Sequence, residues 1–242
     1  MEANKSEQFL TSDLVSQLTG APKSALDMTG VKNYPSNQST DASDIYIEGT
    51  IVTAGSFLDG FEGFVSPKAI RRQLQEADNK VINLFIDSPG GSVYGASNIL
   101  TEIIKLRKQG RTINAVVTGL CASAATFFLL QVDNSSIAPT GSVMLHRVSA
   151  SAYGNWKDME AVIEVLKQYD EQYIEQIAEK TGKSLESLED VIDKETWLTA
   201  KDAVDFGLVD DIYSVEDDDV QNKTKLHNSI ELTLMQLSNF KF

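Results

Sequence analysis

From residue 44 the spacing of apolar and polar positions changes period repeatedly, and each change predicts an element. DIYIEGTIV (44–52) alternates apolar and polar residues, which predicts a strand. Ser66-Pro67 ahead of KAIRRQLQEA predicts a helix with serine at its cap and proline in its first turn. VINLFI (81–86) is a continuous apolar run ending in DSPGG, read as a buried strand and a tight glycine turn. Between Ser92 and Gln109, apolar residues at 93, 96, 99, 100, 103, 104 and 106 give helical spacing, with Gly110 placed to end it. Residues 112–118 read as a strand and 122–131 as a helix. SSIAPTGSVMLH reads as two short strands about a Pro-Thr-Gly turn. Residues 155–180 form a long amphipathic helix closed by Thr181-Gly182, residues 198–206 a further helix ending at Gly207, and LVDDIY a last strand. Strands alternating with helices predict an α/β class.

The ends have a different texture. Residues 1–43 are polar and carry the loop clusters GAPKS and YPSNQSTDAS, with room for a short helix over 6–18. Residues 215–242 open with the acidic VEDDDVQNKTK and end in a short amphipathic segment, NSIELTLMQLSNF. The expected organisation is an N-terminal extension (1–43), one domain (44–214) and a C-terminal tail (215–242).

In 242 residues, 42% are hydrophobic and 23% charged, enough to bury a core. Lys and Arg total 21 against 35 Asp and Glu, a formal charge of −14 that argues against nucleic acid or anionic lipid as a partner. A single cysteine excludes an internal disulfide or a multi-cysteine metal site, and two histidines leave little for a histidine metal centre. No basic-then-apolar leader opens the chain, so a cytoplasmic setting is expected. Residues 112–132 carry no charge over nearly the length of a membrane span. They shift from β-branched to Ala, Phe and Leu, which fits a strand running into a buried helix better.

Several motifs are absent or incomplete. There is no G-x-G-x-x-G and no G-x-S-x-G. Thr181-Gly182-Lys183-Ser184 imitates the end of a phosphate loop, but Ile177 stands where that motif needs glycine. Three pieces remain. Asp87-Ser88-Pro89-Gly90-Gly91 could bring backbone N–H groups to a developing oxyanion, although a plain turn is the simpler local reading. In Gly119-Leu120-Cys121-Ala122-Ser123-Ala124-Ala125, Ser123 stands between strand and helix, and helix capping fits it as well as catalysis. His146 follows the apolar run Val143-Met144-Leu145, where a structural role is the commoner one. His227 lies in the polar tail, and Cys121, between Leu and Ala, reads as a small buried residue.

Together and in this order, INLFIDSPGGSVYGA, GLCASAATFFLL, VMLHR and ETWLTAKDAVDFGLVDDI resemble the Clp protease proteolytic subunit, the ClpP-type serine peptidase family, over roughly residues 44–213. The resemblance implies a ClpP/crotonase-like spiral of ββα units and a Ser–His–acid triad. It assigns Ser123 as nucleophile, His146 as general base, and Gly91 with the Ala124 amide as oxyanion hole. Glu195 aligns with the acid, where the family usually has Asp; Asp193 is its rival. The resemblance calls for no cofactor and no metal. It also implies protein or peptide substrates and sevenfold rings, usually stacked in pairs, with the serines facing a chamber.

Ala124 after the serine, where the housekeeping subunit usually has Met, and Arg147 after the histidine, in place of its Gln or Asn, depart from that subunit; the compact DIYIEGTIV…SPKAIRRQL start and ETWLTA ending are similar to phage and prophage relatives thought to process head proteins. That reading is preferred over a subunit working beneath an AAA+ unfoldase. A crotonase-like acyl-CoA enzyme and a non-catalytic scaffold subunit are the other readings. The long helix, with Tyr169, Tyr173, Ile174 and Ile177, fits ring-to-ring contact and core packing equally.

Overall fold

The structure is a computed structural model, and it describes residues 42–213. The extension up to residue 41, the tail from residue 214, the short helix expected over 6–18 and His227 lie outside the described residues.

The chain adopts the expected α/β class. Its main sheet runs β1 (Ala42–Glu48), β4 (Val81–Ser88), β5 (Thr112–Ala122), β6 (Asn134–Ile137) and β9 (Asp211–Ile212), all neighbours parallel. β7 (Ser142–Leu145) pairs parallel with the far end of β5, and β8 (Thr196–Thr199) lies antiparallel to β7. The helices are α1 (Pro67–Glu76), α2 (Val93–Lys108), α3 (Trp156–Thr181), α4 (Leu185–Asp193) and α5 (Ala200–Phe206). None of the described helices is long and apolar enough to cross a membrane, and residues 112–132 are β5 running into a 3-10 helix.

One face of the sheet makes the core. Ile45 and Ile47 of β1, Ile82, Leu84 and Ile86 of β4, and Ile113, Ala115 and Val117 of β5 are all buried, at the two-residue period of a strand. The continuous apolar run in β4 therefore does not mark a strand buried on both faces. Phe85 points to the other face, half-exposed, and stacks on Tyr46 with ring centres 5.0 Å apart. That outer face also carries a side-chain ladder in strict register. Asn83 donates to Asp44 (2.9 Å), Asn114 to Asn83 (3.0 Å) and Asn134 to Asn114 (2.9 Å), pinning four parallel strands at one level.

Local chemistry sets the boundaries. The predicted strand over 44–52 breaks at Gly49, whose φ of +99° suits glycine. A Cβ there would meet the Gly63 carbonyl oxygen at 2.2 Å. The chain then enters β2 (Thr50–Ile51), which pairs with β3 (Phe64–Val65) in a small second sheet. Ser66, Ser92, Asn155 and Thr199 cap α1, α2, α3 and α5, each accepting a backbone N–H with its side chain. The last helix starts at Ala200 rather than at 198, because Leu198 is taken into β8. α4 has no counterpart among the elements read from sequence. The phosphate-loop imitation is the α3–α4 joint: Gly182 ends α3 at φ +70°, and Ser184 caps α4.

β5 contains the feature that positions the site. Its pairing with β4 shifts between Ile86 and Ser88, so that Ile86 faces Val117 but Ser88 faces Cys121. Asp87 occupies this bulge, accepting the Leu120 amide at 2.9 Å. A Cβ on Gly119 would collide with the Asp87 carboxylate at 2.7 Å, so this glycine makes room for it. Before the bulge β5 pairs with β6, and beyond it with β7.

Candidate active site

The far end of β5 and the end of β7 run side by side, with Cys121 opposite Val143 and Ala122 opposite Met144. Ser123 follows directly and His146 lies two residues past Met144, both leaving the carboxyl ends of neighbouring parallel strands. Crevices at such ends are where open α/β sheets bind ligands. Here Ser123 Oγ and His146 Nε2 are 2.8 Å apart.

The local backbone explains why the serine faces the histidine. The stretch expected as an α-helix over 122–131 is a 3-10 helix, Ser123–Gln131. Its cap position is Ala122, with no side-chain cap bond, so Ser123 is not a capping residue. Ser123 has φ +53°, a left-handed conformation that costs a side-chain-bearing residue on the order of 1–3 kcal/mol. Ala122, Ala124 and Ala125 around it are buried. Cys121, one strand position away, is fully buried, and burial pushes its thiol well above the usual range, so it holds no thiolate.

The glycine turn packs against this corner. Gly90 has φ +89°, and a Cβ on it would meet Ala122 O at 2.6 Å and Ser123 Cβ at 2.7 Å. Gly91 forms a parallel bridge with Ile51, in which the Ile51 amide donates to Gly90 O (2.7 Å) and the Ser92 amide to Ile51 O (2.8 Å). Parallel bridging engages the residues flanking Gly91, so its own N–H points away from Ile51. Gly91 lines one pocket with Ser123, Ala124 and His146, closed on its apolar side by Phe127 and Tyr173.

The two acid candidates have different surroundings. Asp193, at the end of α4, pairs with the Arg147 Nε–H, and this bond holds its carboxyl below the usual carboxylate range. Glu195 stands one residue before Thr196, whose pairing with Leu145 is the last rung between β7 and β8, and His146 stands one residue after Leu145. Glu195 is exposed, has φ +49°, and makes no hydrogen bond to His146 among the described residues. The structure thus brings Ser123, His146, Gly91 and Ala124 around one pocket, which Glu195 does not line.

Three contributors escaped the sequence reading. Asp170 on α3, almost wholly buried, accepts the Val148 amide at 2.7 Å and Arg147 Nη1–H at 3.1 Å. Thr126 Oγ donates to the Ser123 carbonyl at 2.6 Å and lies 2.6 Å from the Tyr173 hydroxyl. Arg147 stood out only as an unusual neighbour of the histidine. The available signal was an acidic residue at 170, in helical phase with Tyr173, Ile174 and Ile177 on the buried face.

A family model for Clp protease matches residues 68–216, more than half of the chain. The match takes in the glycine turn, the strand–serine corner, the histidine and β8. Members of that family are serine peptidases that form oligomeric rings and act on protein substrates, and this chain belongs to the Clp protease family.

Proposed function

We propose that the chain is a serine endopeptidase of the ClpP type, with Ser123 as nucleophile and His146 as general base. The observation that carries the reading is the 2.8 Å contact between Ser123 Oγ and His146 Nε2. A serine hydroxyl is a poor nucleophile until a base takes its proton as it attacks. The neutral imidazole accepts that proton on Nε2 while Oγ bonds to the substrate carbonyl carbon. The carbonyl oxygen becomes an oxyanion, and the amides of Gly91 and Ala124 donate to it. The imidazolium then protonates the leaving amine, the peptide C–N bond breaks, and an acyl-serine remains. Water, deprotonated by His146, releases the second product and restores the hydroxyl. Glu195, which the family resemblance aligns with the acid, orients the imidazole and balances its charge.

In this reading the chain assembles into heptameric rings, stacked in pairs in the cytoplasm, whose chamber admits flexible or unfolded segments. The ββα units form the spiral implied by the family resemblance. The compact start and ETWLTA ending, with the departures from the housekeeping subunit at Ala124 and Arg147, favour a phage or prophage head-maturation role over partnership with an AAA+ unfoldase.

The test is incubation of the purified full chain with an unfolded protein such as casein, without nucleotide, beside Ser123→Ala. Cleavage by the wild type and none by the variant is expected. If cleavage needs an added AAA+ unfoldase and ATP, the head-maturation part of the proposal falls. No cleavage by an assembled oligomer under either condition favours a scaffold subunit.

A further inference from the structure

We infer that Asp170 and Tyr173, one turn apart on α3, brace the two halves of the Ser123–His146 pair and act as positioning residues for the reaction; the inference rests on the peptidase reading above. On the serine side, Thr126 Oγ donates its only proton to the Ser123 carbonyl at 2.6 Å. The Tyr173 hydroxyl, 2.6 Å from Thr126 Oγ, must therefore be the donor in that second bond. Tyr173 is buried with its ring edge-on to Phe127, centres 5.0 Å apart, and burial raises its pKa, keeping the proton it donates.

On the histidine side, one Asp170 carboxylate holds both residues that follow His146. Its Oδ1 accepts the Val148 amide at 2.7 Å and its Oδ2 accepts Arg147 Nη1–H at 3.1 Å. Arg147 extends the connection to Asp193, two residues before Glu195. Residues three apart on a helix share a face at fixed separation. One rigid turn of α3 thus holds the chain at Ser123 and the chain after His146 in register. Ser123 sits in a disfavoured conformation at φ +53°, which persists only where its surroundings hold it.

A brace differs from ordinary packing in what its removal changes. The experiment measures inactivation of the full-length protein by a fluorophosphonate, separating the limiting rate kinact from the apparent affinity KI. Tyr173→Phe keeps the ring and removes only the hydroxyl. Asp170→Asn keeps an acceptor oxygen and removes the charge. Each is expected to lower kinact about tenfold with KI little changed, short of the roughly hundredfold that a misplacement near 1 Å can cost. Ile177→Val, in the core on the same helix, is the control: it is expected to lower Tm and leave kinact unchanged.

Normal kinact in both Tyr173→Phe and Asp170→Asn would overturn the brace. If Asp170→Asn does not fold, Tyr173→Phe decides alone. Failure of the wild type itself to label overturns the peptidase reading instead. The brace is then judged by the Ser123–His146 separation in crystal structures of wild type and Tyr173→Phe, where equal distances overturn it and a longer one in the variant supports it.

Discussion

Ser123 and His146 leave the ends of strands seated in the core, with Cys121, Ala122, Val143 and Leu145 beside them fully or almost fully buried. Glu195 stands on an exposed turn between α4 and β8, held by its own amide donating to Ile192 O at 3.2 Å. The hydroxyl and imidazole are already in contact, whereas the Glu195 carboxylate makes no hydrogen bond to the imidazole among the described residues. Packing forces fix positions well where many atoms touch. The Ser123–His146 contact is thus a product of the core, and the position of Glu195 a product of a surface turn.

The sharpest way to break that contrast is to remove groups from each side in turn. Ser123→Ala and His146→Ala should each lower peptide turnover by at least about a thousandfold with Tm retained, because the members of such a pair act as a unit. Gly91→Ala should come next. Its φ is +133°, and a Cβ would meet Ile51 O at 2.3 Å, so the turn must shift away from Ile51 and its N–H leaves its present place in the pocket. A loss of about a hundredfold in kcat, the scale of one lost oxyanion donor, is expected from steady-state kinetics on a peptide.

Glu195→Gln should cost less than either member of the pair, about tenfold to a thousandfold in kcat. Asp193→Asn should cost less again, because that carboxylate serves Arg147. A larger loss at Asp193 than at Glu195 would exchange their roles. The smallest effects lie away from the site. Asn114→Ala removes the middle of the amide ladder and should lower stability by about 1–2 kcal/mol in urea titration, with kcat unchanged.

The pH dependence of stability has a definite sign at Asp133. Burial pushes this carboxyl up, but Arg107 at 2.7 Å and the Ile113 amide at 2.8 Å outweigh it and hold the pKa below its ordinary value. A folded-state pKa below the unfolded one gives stability that is complete above the unfolded pKa, about 4, and lost as pH falls through the folded value. Tm measured from neutral to acid pH should therefore fall less steeply in Asp133→Asn than in the wild type.

What could be read from the sequence follows the same division. The Ser66-Pro67 cap and the helical spacing from 93 to 106 are local signals, and they placed α1 and α2 closely. The Gly49 break, the β5 bulge around Asp87 and the 3-10 geometry after Ala122 depend on contacts between distant segments, which spacing along the chain does not carry. Ser123, His146, Gly91 and Ala124 were legible as motif residues. Their meeting at one pocket is a consequence of parallel pairing between β5 and β7. The partners of Arg147 come from α3 and α4, 23 and 46 residues away; helical phase marked Asp170 as facing the core, but no local pattern joined either partner to Arg147.

The most direct test is labelling of the assembled full-length protein with a fluorophosphonate, read by intact mass and peptide mapping beside Ser123→Ala and His146→Ala. One adduct per chain, mapped to Ser123 and lost in both variants, is the expected result. An adduct on another residue, or labelling of Ser123 that persists without His146, would contradict a nucleophile activated by this histidine.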